Sequence, residues 1–168
     1  NGVTPRRWVA LSNPALRQLL ADSIGEGWVA DLDQLRQLER FQHDGAFLER
    51  WQQTKLASKR NLANYIHRQS GLLVDPASMF DVQVKRIHEY KRQLLNVLHV
   101  IARYNRILAE PERDWVPRTV IFSGKSASAY FMAKLIIKLA HDIGKVVNND
   151  PTVRGALKVV FLPNYGVS

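Results

Sequence analysis

Cysteine is absent from the 168 residues, which excludes disulfides and thiolate chemistry and is compatible with a reducing compartment. No stretch approaches the roughly 18 uninterrupted apolar residues that a membrane-spanning helix requires, and no secretory signal pattern is present. Acidic residues are scarce beside basic ones, 15 against 24, so the formal net charge is +9 and the isoelectric point lies near 10.1. That balance favours anionic partners, such as phosphorylated metabolites, nucleic acid or a membrane surface, and does not choose among them. His43 and His67 have no second ligand at metal spacing, so no metal site is expected. The hydrophobic content of 46% is enough to bury a core, and the length suits one domain or one and a half.

The basic residues concentrate in Phe80–Asn96, FDVQVKRIHEYKRQLLN, which packs Lys85, Arg86, His88, Lys91 and Arg92 into eight residues with only Glu89 opposing them. Val82 and Val84 alternate with Asp81 and Gln83 at the period of a short extended segment. Leu94, Leu95, Leu98, Ile101, Ile107 and Leu108 then recur at helical spacing, which predicts an amphipathic helix from near His88 to near Ala109 with the cations at its N-terminus. Cations at that end oppose the helix dipole by roughly 0.3–1 kcal/mol each, so helix stability does not explain the cluster. A docked anion would, because backbone N–H groups, the dipole, the planar fork of arginine and the point charge of lysine could converge on phosphate oxygens. An ordinary solvated basic face is the plainer reading.

Elsewhere the chain is rich in helix signals. Thr4-Pro5 and Asn13-Pro14 read as caps with a first helical residue, and Gly25 stops a helix carrying Leu16, Leu19, Leu20 and Ile24. Asp31 opens a short helix with Leu32, Leu35, Leu38 and Phe41, and Asp44 opens a long one that ends near Ser70 with Gly71 as its stop. Phe47, Leu48, Trp51, Leu62, Tyr65 and Ile66 form its apolar side, while Lys55, Lys59, Arg60 and Arg68 form a solvated one. After Pro111 the character changes. Val120–Phe122 and Val159–Leu162 are short, continuously apolar runs on either side of a helical stretch from Tyr130 to Val147 that bears Leu135, Ile136, Leu139 and Ile143. Strand, helix, strand with both strands apolar throughout is the pattern of a parallel βαβ unit.

The expected fold class is therefore α/β, a mainly helical region over residues 1–116 followed by the start of a doubly wound parallel sheet over residues 117–168. In such sheets ligands bind beyond the carboxyl ends of the strands, here the loops 123–128 and 163–168. The SGKS at Ser123–Ser126 is not a nucleotide-binding P-loop, because Thr119 stands where the first glycine is required. A small-residue loop that admits a close backbone approach and a plain tight turn are both compatible with it. Asn1 begins the chain without a methionine and Tyr165–Ser168 follow directly on a strand-like run, so a piece of a longer protein is expected.

FDVQVKRIHEYKRQLLN resembles the signature of the α-glucan phosphorylases, the glycogen, starch and maltodextrin enzymes. The resemblance extends in order through NGVTPRRW, SNP, DLDQL, VPRTVIFSGK, MAKLIIKL and LKVVFLPNY, covering essentially the whole chain. It implies part of the C-terminal lobe of a two-lobe, GT-B-type glycosyltransferase that holds pyridoxal 5′-phosphate in the interlobe cleft and transfers the terminal glucosyl unit of an α-1,4-glucan to phosphate, giving glucose 1-phosphate. By motif position, the resemblance implies that Arg86 and Lys91 hold the substrate phosphate and that Lys85 holds the cofactor 5′-phosphate. It further implies that Tyr90 and Asn1 contact sugar hydroxyls, that Trp8 lies near the pyridoxal ring, and that Tyr165 reaches the cofactor phosphate region. Tyr130 would sit at the mouth of the cleft, where plain packing serves equally well.

The implied chemistry is phosphorolysis with retained anomeric configuration, the proton reaching the leaving sugar oxygen through the substrate phosphate. No carboxylate pair of the hydrolytic glycosidases is needed. Gly166 stands where animal members carry arginine after NY, which questions one cofactor-phosphate contact and suggests a bacterial-type variant. The Schiff-base lysine belongs to a Gly-rich motif that this chain lacks, so the chain alone is expected to be inactive. The resemblance implies a cytoplasmic, homodimeric full-length enzyme whose partners are glucan, phosphate, glucose 1-phosphate, the N-terminal lobe and the rest of the C-terminal lobe, with no membrane and no nucleic acid. The competing reading from charge alone is a basic module that binds anions or nucleic acid, but the aromatic residues fall mostly on apolar faces instead of interleaving with the cations.

Overall fold

The computed structural model describes residues 4–153 and 155–165. The chain divides into two compact units, the first ending at Leu62 and the second beginning at Ala63. Asn1 and Gly166 lie outside the described residues.

The first unit is helical and its boundaries follow the capping chemistry. Asn13 accepts a hydrogen bond from the backbone N–H of Leu16 at 3.2 Å, Pro14 sits in the first turn, and helix α1 (Pro14–Ile24) buries Leu19 and Leu20 before Gly25, at φ 76°, ends it. Asp31 caps the next segment by accepting from the N–H of Asp33 at 3.1 Å, but Leu32–Phe41 is a 3-10 helix and not the α-helix expected. The spacing explains the difference: Leu32, Leu35, Leu38 and Phe41 recur every third residue, which forms one continuous stripe at three residues per turn and drifts at 3.6. Asp44 then accepts from Phe47 N–H at 3.1 Å and opens helix α2 (Gly45–Ser70). Phe41 and Phe47 stack at 4.9 Å across that junction. One of the paired arginines near the start is committed to structure, since the Arg6 guanidinium donates to the carbonyls of Val29 and Ala30.

The last turns of α2 belong to the second unit, where Ile66 is buried. The helix ends as expected at Gly71, at φ 72°, whose N–H returns to the carbonyl of His67 at 2.8 Å. Three strands follow: β1 (Met79–Val84), β2 (Arg118–Gly124) and β3 (Leu157–Pro163), in the order β1-β2-β3 with both pairings parallel. Helix α3 (Gln93–Ala109) joins β1 to β2 and helix α4 (Phe131–Asn149) joins β2 to β3. The expected strand, helix, strand unit is present, and the short extended segment before the basic cluster is a further strand that pairs with β2.

Central β2 is buried from Thr119 to Gly124, which is why it reads as a continuous run and not as an alternation. Val120, Phe122, Val159 and Leu157 from the sheet meet Val97, Val100 and Ile107 of α3 and Ala140 and Val147 of α4 in one cluster. Each large side chain buried there contributes about 1.5–3 kcal/mol against exposure. The face that α3 buries is only partly the one anticipated: Ile107 lies on it and Ile101 packs against it, but the leucines do not. Gln93, Val97, Val100 and Ile107 are buried, whereas Leu94, Leu95, Leu98 and Leu108 stay exposed. The helix is apolar on two sides, and the β-branched side is the one that meets the sheet. At the outer edge of β3, Asn148 of α4 presents its amide to the strand, donating to the carbonyl of Val159 at 2.8 Å and accepting from its N–H at 2.9 Å. A side chain thus takes the position of a neighbouring strand.

Candidate anion site at the carboxyl edge of the sheet

The carboxyl ends of the strands all point to one edge of the parallel sheet, and the basic segment begins where β1 leaves it. The ladder does not stop at Val84. The N–H of Lys85 donates to the carbonyl of Ser123, and that of Ile87 to the carbonyl of Lys125, both at 3.1 Å. Residues 85–87 therefore extend the hydrogen bonding beyond the end of β1, with the side chain of Ile87 buried against Ala133 and Ile136 of α4 while Lys85 and Arg86 are exposed. Gly124 is what permits this crossing, for a Cβ there would lie 2.2 Å from the carbonyl oxygen of Lys85. Of the two readings open for the small-residue loop, the close backbone approach is the one the structure adopts.

The predicted helix start at His88 is corrected by the structure. His88 is extended, Glu89–Lys91 forms a single 3-10 turn, and Arg92 takes the left-handed conformation at φ 60° and ψ 32°, so α3 begins only at Gln93. A non-glycine residue in that region is costly and interrupts the regular helix. The cations accordingly do not sit in the first turn of α3. They are carried by a strand extension and an isolated turn, and the helix dipole is not what assembles them. Arg92 makes no side-chain capping bond, although it occupies the N-cap position.

Glu89, the acid within the cluster, is engaged elsewhere. The Tyr130 hydroxyl, at the N-terminus of α4, donates to Glu89 Oε2 at 2.6 Å and accepts from the Glu89 N–H at 3.3 Å. The hydrogen bond to this carboxylate holds the Tyr130 phenol above its ordinary pKa. His88 packs between Tyr90 and Tyr130 at ring distances of 4.2 and 4.7 Å. With Glu89 occupied, Lys85, Arg86, Lys91 and Arg92 make no ion pair among the described residues, and Lys91 contacts the Tyr90 ring at 5.7 Å. Tyr90 itself is 69% exposed.

Of the residues singled out from the sequence, Lys85, Arg86, Tyr90 and Lys91 thus fall within one short segment at this edge. Tyr165 is half-buried just beyond β3, after a turn in which Asn164 takes φ 61°. β2 separates β1 from β3, which puts those two strands about 10 Å apart at the ordinary strand spacing. Trp8 belongs to the first unit and is 58% exposed. The exposed cations Lys85 and Arg86, which form no ion pair among the described residues, suit the phosphate group of pyridoxal phosphate. A cavity of about 400 Å³ lined by Trp115, Arg113 and Pro117 lies at the opposite, amino edge of the sheet and has no part in this arrangement. Among the described residues no cluster of His, Asp and Glu has metal-binding geometry, and no helix is long and apolar enough to cross a membrane.

Sequence reasoning passed over the polar residues that hold the segment: Gln93 is 1% exposed, Gln83 and Asn96 are half-buried, and all three bond to the segment or to one another. The available signal was Gln93 itself, an amide at the helical position where the apolar pattern calls for a core residue.

Comparison with known proteins matches the family described as carbohydrate phosphorylase over residues 1–168. The chain is 56% identical over 167 residues to the glycogen phosphorylase of Synechocystis sp., a match covering 99% of this chain and 20% of that protein. It is 54% identical over 168 residues to the glycogen phosphorylase of Haemophilus influenzae and 54% identical over 168 residues to the muscle form of human glycogen phosphorylase, in each case covering 100% of this chain and 20% of the relative. The chain therefore spans only 20% of the length of these relatives.

Proposed function

The chain belongs to the carbohydrate phosphorylase family, and on that footing we propose that it forms one wall of the active site of a cytoplasmic α-glucan phosphorylase, within the C-terminal lobe of a two-lobe GT-B-type enzyme. The complete protein would transfer the terminal α-1,4-linked glucosyl unit of glycogen or a related glucan to phosphate and release glucose 1-phosphate. The observation that carries this reading is a set of cations without ion-pair partners among the described residues, Lys85, Arg86 and Lys91, at the carboxyl edge of a parallel sheet in a chain more than half identical to glycogen phosphorylases.

In this reading Arg86 grips two oxygens of the substrate phosphate with its planar fork, and Lys91 adds a point charge from the neighbouring turn. Lys85 and Tyr165 would hold pyridoxal phosphate by its phosphate group, with Trp8 near its ring. When bound, the cofactor supplies a second phosphate close to the substrate's. Two phosphates so placed repel, and fixed cations that require no reorganisation offset that repulsion and stabilise the charge that develops as the glycosidic bond breaks. Tyr90, exposed beside the cations, and Asn1 would orient the glucosyl unit through its hydroxyls. The exposed leucine face of α3 would be covered by the remainder of the lobe, and the assembled protein would be a homodimer. The division into a mainly helical part that carries the basic motif, residues 1–116, and the first βαβ unit of a Rossmann-like domain, residues 117–168, belongs to the same proposal.

The test is replacement of Arg86 or Lys91 by alanine in the full-length protein. Losing one charge-assisted contact to a partly buried phosphate should cost about 1.5–3 kcal/mol, roughly ten- to a hundredfold, with phosphate and with glucose 1-phosphate alike. Phosphate saturation unchanged in both folded variants would sink the assignment. The chain expressed alone should make no glucose 1-phosphate from glycogen and phosphate.

A further inference from the structure

The two cations assigned to the substrate phosphate share a feature that their charge does not explain: each has its main-chain carbonyl held by a glutamine. Gln93 Nε2 donates to the carbonyl of Arg86 at 3.1 Å while Gln93 Oε1 accepts from the N–H of His88 at 3.3 Å. Gln83 Nε2 donates to the carbonyl of Lys91 at 3.3 Å, and Gln83 Oε1 accepts in turn from Asn96 Nδ2 at 2.9 Å. The amide of Gln93 thus bonds the carbonyl before Ile87 and the N–H after it, which is what a residue of a neighbouring parallel strand would do. On its other side the same segment is tied to β2 through Lys85 and Ile87.

We propose that Gln93 and Gln83 are positioning residues for phosphate recognition, fixing the separation and direction of Arg86 and Lys91 without touching the ligand. The proposal rests on the assignment of those two cations to the substrate phosphate. Arg86 and Lys91 repel each other, and Glu89, the acid between them in sequence, accepts from Tyr130 and forms an ion pair with neither, so no salt bridge among the described residues sets their spacing. Something other than charge must hold them, and it must not neutralise them. A neutral amide meets both requirements, whereas a carboxylate would keep only the accepting half of each arrangement, from the N–H of His88 at position 93 or from Asn96 Nδ2 at position 83, and would oppose the carbonyls of Arg86 and Lys91 and the bound phosphate. The buried amide of Gln93 also restricts rotation, because both its ends must stay satisfied. A shift of the segment by one residue would leave Gln93 facing the wrong carbonyl, so the pair sets register as well as position.

The experiment measures saturation of the full-length protein by phosphate and by glucan, and direct calorimetric binding of inorganic phosphate, in Gln93→Leu, Gln83→Ala, Arg86→Ala, Lys91→Ala and the doubles Gln93→Leu/Arg86→Ala and Gln83→Ala/Lys91→Ala. Each single glutamine variant should weaken phosphate about tenfold while glucan saturation and the melting temperature change little. In each double the glutamine change should add less than about twofold, because a positioning residue has nothing left to position once its cation is gone. Gln83 is only half-buried, so Gln83→Ala carries the test where Gln93→Leu does not fold. Full additivity in the doubles, or unchanged phosphate binding in a folded single glutamine variant whose cation partner shows its own defect, overturns the proposal and leaves the phosphate assignment standing. Absence of any phosphate defect in Arg86→Ala and Lys91→Ala overturns both.

Discussion

The sheet core and the basic segment are adjacent in space and are held by opposite means. At Val120, Phe122, Leu157 and Val159, position follows from apolar burial against α3 and α4, and any side chain of similar shape would serve. From Lys85 to Arg92 the side chains that matter are exposed or half-exposed, Ile87 is the one apolar anchor, and the chain is fixed by directed hydrogen bonds from Gln83, Gln93 and Tyr130 and by a close approach that Gly124 permits. A core tolerates approximate chemistry and resists loss of volume. A recognition segment of exposed cations, with Ile87 alone to bury, has little hydrophobic gain, so its order comes from neutral amides and one left-handed residue.

Four changes test that contrast. The largest effect is expected from Phe122→Ala, which empties the middle of the core and should destabilise by about 3–5 kcal/mol in urea unfolding. In whatever full-length protein still folds, phosphate half-saturation should be close to normal. Gly124→Ala should do the reverse. The added Cβ meets the carbonyl oxygen of Lys85 at 2.2 Å, so stability should fall by about 1–3 kcal/mol while phosphate half-saturation rises, because the strand extension must move. If Gly124→Ala lowers stability and leaves phosphate untouched, the segment is more pliant than the contrast requires.

Arg92→Gly is expected to be smaller and of the other sign. Relief of the left-handed backbone at Arg92 should stabilise by up to about 1 kcal/mol, diminished by the greater freedom of glycine in the unfolded chain. Arg92→Ala, which keeps the strain, should give no such gain, and a matching rise in midpoint for both variants would show that the charge, not the backbone, carries the cost.

The smallest effect concerns pH. Tyr104 of α3 donates to Asp150, just after α4, and with the N–H of Thr152 that bond holds the Asp150 carboxyl below its ordinary range. A depressed folded-state pKa contributes stability that is complete above the ordinary carboxylate value and disappears as pH falls through the folded one. Urea midpoints of Tyr104→Phe should therefore lie slightly below wild type at neutral pH and converge on it in acid. Curves that stay parallel would remove this bond from the account.

The sequence by itself determined the parts of this protein that rest on local chemistry. Asn13, Asp44, Gly25 and Gly71 set helix ends because capping and left-handed backbone are decided within a few residues, and the unbroken apolar runs of β2 and β3 announced a buried parallel sheet. The long match to the phosphorylase signature was legible for the same reason, being written in contiguous residues. Only the tertiary structure decided how the basic segment is presented. Periodicity alone ran the helix back to His88 and favoured the leucine face, since neither the strain at Arg92 nor the choice between two apolar faces of α3 is visible until β2 and α4 are in place. The roles of Gln93, Gln83 and Gly124 depend on bonds and close approaches across turns and between elements, and an isolated glutamine or glycine in a sequence carries no mark of the carbonyl it will meet.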